Sequence, residues 1–283
     1  MSHVFLPPDL DRLWNILEEN PGALLYAGGT DLLVRLRQNP LKPPSLVCLE
    51  RIEELHGVRE RGEEVFIGAC ATHTGLLADA IIRDNFPVLV KGLACLGSPP
   101  IRNMGTIGGN ICTASPAGDA LPPLYTLDAG LEIRSRNSSR RMALTDFILG
   151  PGKTSLQQGE ILAGVWLNRH PPFAIHHFEK VGQRNALAIS LVSLAALLTV
   201  SAPGIIERVR LAWGSVAPTV ATSAAVEAML TGRPLSRETM DSAIPLIGDA
   251  ISPISDTRAT ARYRRTVAGN LLLRLIEVDR RCK

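Results

Sequence analysis

The 283-residue sequence has no long uninterrupted apolar run. Its most apolar stretch, Ala186 to Ala202, is broken by Ser190, Ser193, Thr199 and Ser201. It falls short of the roughly 20 residues a membrane-spanning helix needs, so a buried strand or helix is expected there. Met1 to Leu6 has no basic segment leading into an apolar core, and no secretory leader is expected. Cysteine is scarce: Cys48, Cys70, Cys95, Cys112 and Cys282 are odd in number, widely spaced and form no CxxC. Zinc and iron–sulfur clusters therefore lack their usual ligand spacing, and free thiols in a reducing cytoplasm are expected. Charge of one sign is also lacking. Thirty basic and 27 acidic residues leave a net +3, too even to indicate nucleic acid. The excess is local, because Thr257 to Lys283 carries eight Arg/Lys against two acids. That basic tail is a weak indication of a partner surface. No internal repeat or low-complexity tract is present.

Several familiar motifs fail on inspection. Gly152-Lys153-Thr154 resembles the end of a phosphate-binding P-loop, but the required earlier glycine is Phe147. His176-His177 offers two imidazoles, yet adjacent strand residues face opposite sides and cannot readily ligate one metal. No GxGxxG follows a strand, so a dinucleotide site of the doubly wound type is not indicated.

What the chain does have is turn chemistry, with 24 Gly and 20 Pro. Leu10, Leu13, Trp14 and Leu17 give a helical stripe that starts after Pro7-Pro8 and stops at Asn20-Pro21-Gly22. Strand-like pieces follow at 23–27, 46–49, 65–69, 131–133 and 161–167, with helical patterns at 74–82 and 88–96. Past Pro171-Pro172 strands dominate to Trp213, and helices follow from Ala221. The last helix is expected to bury Tyr263, Val267, Leu271, Leu275 and Val278, with its arginines mostly elsewhere. The proline pair is read as a domain boundary.

Two glycine-rich segments could hold a ligand. In the first, Leu24, Leu25, Tyr26 and Ala27 run into Gly28, Gly29, Thr30, Asp31 and Leu32, a strand entering a helix through paired glycines. Such glycines admit close backbone approach, and Thr30 or Asp31 could cap a helix faced by Leu32, Leu33 and Leu36. Read alone, the segment is more often a plain turn. The second runs Gly105, Thr106, Ile107, Gly108, Gly109, Asn110 and on through Ser115 to Asp119. Its three glycines and flanking polar side chains suggest a concave run of backbone donors suited to a diphosphate. A structural turn cluster is about as good a reading.

In order and spacing these segments resemble the FAD-binding subunit of the molybdenum hydroxylases, as in bacterial xanthine and carbon monoxide dehydrogenases. The resemblance rests on AGGTDL at 27–32, SPPIRNMGTIGGNICTASPAGD at 98–119, GEIL at 159–162, FEKVGQRNALAIS at 178–190 and SDTRATARYRR at 255–265. It implies an α+β fold: a two-subdomain FAD-binding unit of the vanillyl-alcohol-oxidase type over 1–170 (about 1–55 and 56–170). An α+β C-terminal domain with a small antiparallel sheet and helices would follow over 171–283. By the same resemblance, Leu24 to Leu32 wrap the FAD diphosphate and Gly105 to Asn110 hold it from the other side. Asp119 contacts the adenosine half, Leu96 and Leu162 line the cofactor cleft, Lys180 reaches the ligand, and Ile189 lies near the flavin ring.

The sequence also departs from the family. Leu187-Ala188 stand where many relatives have an acid just before the residue matching Ile189, which is expected to raise the flavin potential or change the acceptor. Pro100 replaces a common Gln, and the insertion that carries a 4Fe–4S cluster in one branch is absent. The implied function is electron transfer from 2Fe–2S clusters to FAD and on to NAD+ or another acceptor. The implied partners are a molybdenum-cofactor subunit and a 2Fe–2S subunit, as a dimer of heterotrimers, with no nucleic acid and no membrane span. No catalytic acid, base, nucleophile or metal ligand is assigned. The competing reading is a self-contained FAD oxidase or reductase of the same fold.

Overall fold

A computed structural model describes residues 3–37, 44–169, 173–184 and 186–277. Pro171-Pro172, Val278 and Cys282 lie outside the described residues. Two compact units emerge, one from residues up to 81 with 98–114 and 128–169, the other from 82–97, 115–127 and the later chain.

The first unit opens with a parallel sheet of β1 (Val4–Phe5), β2 (Leu24–Tyr26) and β3 (Leu46–Cys48) in the order β1-β3-β2. The expected helix forms over Leu10–Glu19, where the Asp9 carboxylate accepts from the Arg12 N–H at 2.7 Å. It buries Leu13, Trp14 and Ile16 in a core with Val47, Leu49, Ile52 and Leu55. An antiparallel sheet follows: β4 (Val58–Arg61), β5 (Glu64–Gly68), β6 (Gly130–Arg134) and β7 (Ser139–Ala143). A small ribbon of β8 (Ile148–Gly150) and β9 (Lys153–Thr154) leads to β10 (Ile161–Asn168), which inserts centrally to give β4-β5-β10-β6-β7.

The second unit is built on β11 (Ile175–Val181), β12 (Val192–Val200) and β13 (Ile206–Gly214), antiparallel in that order. The apolar stretch at 186–202 thus resolves into a loop and the central strand. β12 is buried on both faces. Val192, Leu194, Ala196 and Leu198 enter a core with Trp213, Met240, Ile247, Leu271 and Leu272, supplied partly by the helices Arg237–Ala250 and Ala261–Leu273. Ala195 and Leu197 face the other way, against Val88 and Phe178. The helices Pro87–Ala94 and Leu121–Thr126 cover this second face, which is why two segments preceding the proline pair group with the later chain. A strand covered on both sides needs a continuous apolar run rather than alternation.

Three local expectations change. The pattern at 74–82 divides into helices His73–Ala78 and Ala80–Asn85, broken at Asp79. The helix Leu32–Arg37 buries no residue, leaving Leu33 and Val34 exposed. In the last helix Tyr263 is exposed, whereas Arg264 is among the buried residues with Ala268, Gly269, Leu271 and Leu272. An arginine occupies the place expected for an apolar side chain because both of its terminal nitrogens are hydrogen-bonded, one of them in an ion pair.

Candidate functional site

The first glycine segment leaves β2 at Tyr26 and passes through Ala27, Gly28, Gly29, Thr30 and Asp31 into the helix beginning at Leu32. Leu24 is exposed, and Leu25 to Leu32 are half-buried. Gly29 has φ +66°, a left-handed conformation that favours glycine. Gly28 is constrained differently. A Cβ there would lie 1.6 Å from the Met104 carbonyl oxygen, so this loop rests backbone on backbone against the end of the helix Pro99–Met104. A second tie joins the segments, since Asp31 Oδ2 accepts from Thr113 Oγ1 at 3.2 Å and pairs with Arg35 at 2.9 Å. The N–H groups of Gly28, Gly29 and Thr30 have no acceptor among the described residues.

In the second segment Gly105 turns the chain, and Thr106 caps the helix Ile107–Thr113 by accepting from Gly109 N–H at 3.1 Å. The other donors are spent internally: Ile107 on the Ala71 carbonyl at 3.0 Å, Gly108 on Ala69 at 2.9 Å, and Asn110 on Thr106 at 3.0 Å. The expected concave run of free donors at 105–110 is therefore corrected, because a cap and a neighbouring loop already satisfy them. Gly108 serves packing, since its Cβ would sit 2.6 Å from that of Ala69. Gly105 lies over His73, whose imidazole burial lowers to about pKa 4, with Arg102 adding to the effect. Gly109 alone of the three is exposed, and a Cβ on it would meet only Thr106 Oγ1, at 3.0 Å. Asn110 Oδ1 is buried without a partner. Leu162 is buried in β10, opposite Ile133 at a bulge.

The second unit carries the remaining candidates. Leu96 is buried, and Ser115 Oγ accepts from the Ala117 N–H at 3.3 Å in the turn that leads to Asp119. Asp119 is only 6% exposed. Its Oδ2 accepts from Lys180 Nζ at 2.5 Å, and Lys180 also donates to the Cys95 carbonyl at 3.1 Å. Burial pushes the Asp119 carboxyl up to about 6, although Lys180 pulls the other way. Asp119 Oδ1 is buried with no partner. Ile189 is 53% exposed in the connection from β11 to β12, and nearby Leu187 is equally exposed, at φ +55°.

Within the first unit, then, the structure joins the two glycine segments; within the second, it joins Asp119 to Lys180. Met104 and Thr113, which hold the first loop, were not legible as site residues, and the Asp119–Lys180 pair spans 61 positions with no local signal. Unspent N–H groups and an open glycine suit a phosphate, whereas buried lone acceptors on Asn110 and Asp119 suit hydroxyl or amino donors. Those features fit FAD. Among the described residues no cluster of His, Cys, Asp or Glu could hold a metal ion, and no helix is long and apolar enough to cross a membrane.

Comparison with known proteins gives the same direction. Residues 1–167 match the family model of the FAD binding domain in molybdopterin dehydrogenase, and residues 177–278 match the CO dehydrogenase flavoprotein C-terminal domain. The chain is 32% identical over 267 residues to the nicotinate dehydrogenase FAD-subunit of Eubacterium barkeri, covering 92% of this chain and 90% of that one. It is 33% identical over 254 residues to the xanthine dehydrogenase FAD-binding subunit of Escherichia coli O157:H7, with 88% and 86% covered. A chain in the crystal structure of quinoline 2-oxidoreductase from Pseudomonas putida 86 superposes with a TM-score of 0.93 at 26% identity, covering 100% of this chain and 98% of that one. With both halves matched in order and both glycine segments intact, the chain belongs to the family of FAD-binding subunits of the molybdenum hydroxylases.

Proposed function

We propose that this chain holds FAD noncovalently and works as the electron-transfer subunit of a molybdenum hydroxylase complex. It receives electrons from the 2Fe–2S clusters of one partner, fed by a molybdenum-cofactor subunit, and passes them to NAD+ or another acceptor. The assembly is a dimer of heterotrimers in the cytoplasm. One observation carries the reading: Gly28 is seated on the Met104 carbonyl while the N–H groups of Gly28, Gly29 and Thr30 stay unspent. Leu24 to Leu32 wrap the diphosphate, and Gly105 to Asn110 hold it from the other side, with Gly109 the point of approach. Asp119 and Ser115 take the adenosine half, and Lys180 fixes the Asp119 carboxylate. Leu96, Leu162 and Ile189 supply apolar surface. Bound FAD supplies the exchange between single electrons and electron pairs. The protein binds, orients and excludes water, and no side chain is needed as acid, base or nucleophile.

Gly109→Val should weaken FAD binding by about 1–3 kcal/mol, the usual cost of overpacking, with a smaller effect on apoprotein melting, because its Cβ would crowd only Thr106 Oγ1, at 3.0 Å. Gly28→Ala should lower apoprotein melting as well, since its Cβ has no room against Met104. FAD titration and thermal melting of both variants separate the roles. Unaltered FAD affinity in Gly109→Val contradicts the assignment.

Asp119 gives a pH prediction of opposite sign for stability and for binding. Its folded pKa of about 6 lies above the ordinary carboxylate value, so its contribution favours the folded apoprotein fully below about pH 4. That contribution is lost as pH rises through 6. FAD retention should move the other way, weakening as pH falls through 6 and the carboxylate takes up a proton. Asp119→Asn should abolish both dependences. Parallel FAD-release curves for parent and variant between pH 5 and 7.5 would contradict the role.

The function itself is tested by stopped-flow reduction. The isolated chain should be reduced by NADH or dithionite but not by a purine, aldehyde or heteroaromatic substrate. Adding molybdenum and iron–sulfur subunits should restore substrate-driven bleaching. Rapid bleaching of the lone chain by an organic substrate would assign a self-contained flavoenzyme instead.

A further inference from the structure

Segment 255–265 carries part of the family resemblance, and it overlaps the basic tail from Thr257 to Lys283, a weak indication of a partner surface. The structure gives Arg264 a different occupation. Its side chain is 5% exposed, and Nη2 pairs with Asp256 Oδ1 at 2.9 Å. Asp256 is itself held in place, accepting from the N–H groups of Arg258 at 2.9 Å and Ala259 at 3.0 Å, which drive its carboxyl well below the usual range. The other terminal nitrogen, Nη1, donates to two backbone carbonyls, Leu191 at 2.5 Å and Ser215 at 3.2 Å.

Those carbonyls lie where the second unit carries its cofactor candidates. Leu191 ends the loop that presents Leu187 and Ile189, and its N–H donates to the Val181 carbonyl at 2.8 Å, one residue beyond Lys180. Ser215, at φ +66°, donates its N–H to the Pro116 carbonyl at 2.9 Å, in the turn between Ser115 and Asp119. A single guanidinium therefore joins the apolar loop to the turn that carries the acid. Its planar fork allows this, because one nitrogen serves the carboxylate and the other serves two carbonyls. An ammonium on a lysine stem keeps the charge but not the fork. Burial of a charge is costly unless it is paired and hydrogen-bonded, and this one is both.

We infer that Arg264 is a positioning residue for the flavin: it fixes the Leu187–Ile189 loop in register with the Ser115–Asp119 turn. This rests on the FAD reading above. Arg258 and Arg274 are likewise engaged, with Asp256 at 3.3 Å and with Glu179 and Glu277 at 3.4 and 2.6 Å, so three of the tail's five described arginines are paired within their own unit.

The test compares the full-length parent with Arg264→Lys and Arg264→Met, reading FAD dissociation rate, visible flavin band shape and hydrogen exchange at 186–191. Arg264→Met should release FAD at least about tenfold faster, the order expected for loss of charge-assisted hydrogen bonds. Arg264→Lys, which retains a cation for Asp256, should recover apoprotein melting yet keep a shifted flavin band and faster exchange at 186–191. Parent-like flavin band, FAD release and exchange in Arg264→Lys would overturn the positioning role, even if Arg264→Met failed to fold. A parent that bound no FAD would instead overturn the reading on which it rests.

Discussion

The contact between Gly28 and the Met104 carbonyl governs the first unit's candidate site. Two chain segments about 75 residues apart can touch backbone to backbone only where no Cβ intervenes, and a Cβ at Gly28 would sit 1.6 Å from that oxygen. The contact places the start of one helix against the end of another. Asp31 and Thr113 then add a polar tie. With the segments locked together, the first loop has unspent donors and the second has spent nearly all of its own. The glycines thus divide their labour: Gly28 and Gly108 make room for protein, whereas Gly109 is exposed.

The second unit solves a different problem, the burial of charge. Asp119 and Lys180 are both nearly inaccessible, with one carboxylate oxygen left over. Arg264 and Asp256 form a second such ion pair, with two loop carbonyls attached. Removing one partner from such a pair strands a charge, so these sites resist substitution more than surface arginines do. Both pairs hold loops rather than secondary structure. That is where a ligand-binding scaffold needs rigidity that neither helix nor strand can provide.

Much of the fold was legible in local pattern. Leu10, Leu13, Trp14 and Leu17 announced the first helix, and the Pro7-Pro8 start and Asn20 stop were readable beside them, whereas the Asp9 cap came from the structure. β12 was harder, because a strand covered on both faces loses the alternation that separates it from a buried helix. The grouping of 82–97 and 115–127 with the later chain was not legible, since it arises from which sheet face those helices cover. At the site, glycine spacing and family resemblance marked the right segments but not the fate of each N–H, which depends on Ala69 and Ala71 some 40 residues earlier. Arg264 was invisible to periodicity for a related reason: a buried arginine looks polar in a helical stripe, and its partners at Leu191, Ser215 and Asp256 come from three separate loops.

Noncovalent binding of FAD is tested by purifying the chain with its bound chromophore, precipitating it with acid and analysing both fractions. A yellow protein that releases one intact FAD per chain into the supernatant is expected. Flavin retained in the pellet would contradict noncovalent binding, and a colourless chain that fails to take up added FAD would contradict the flavoprotein assignment itself.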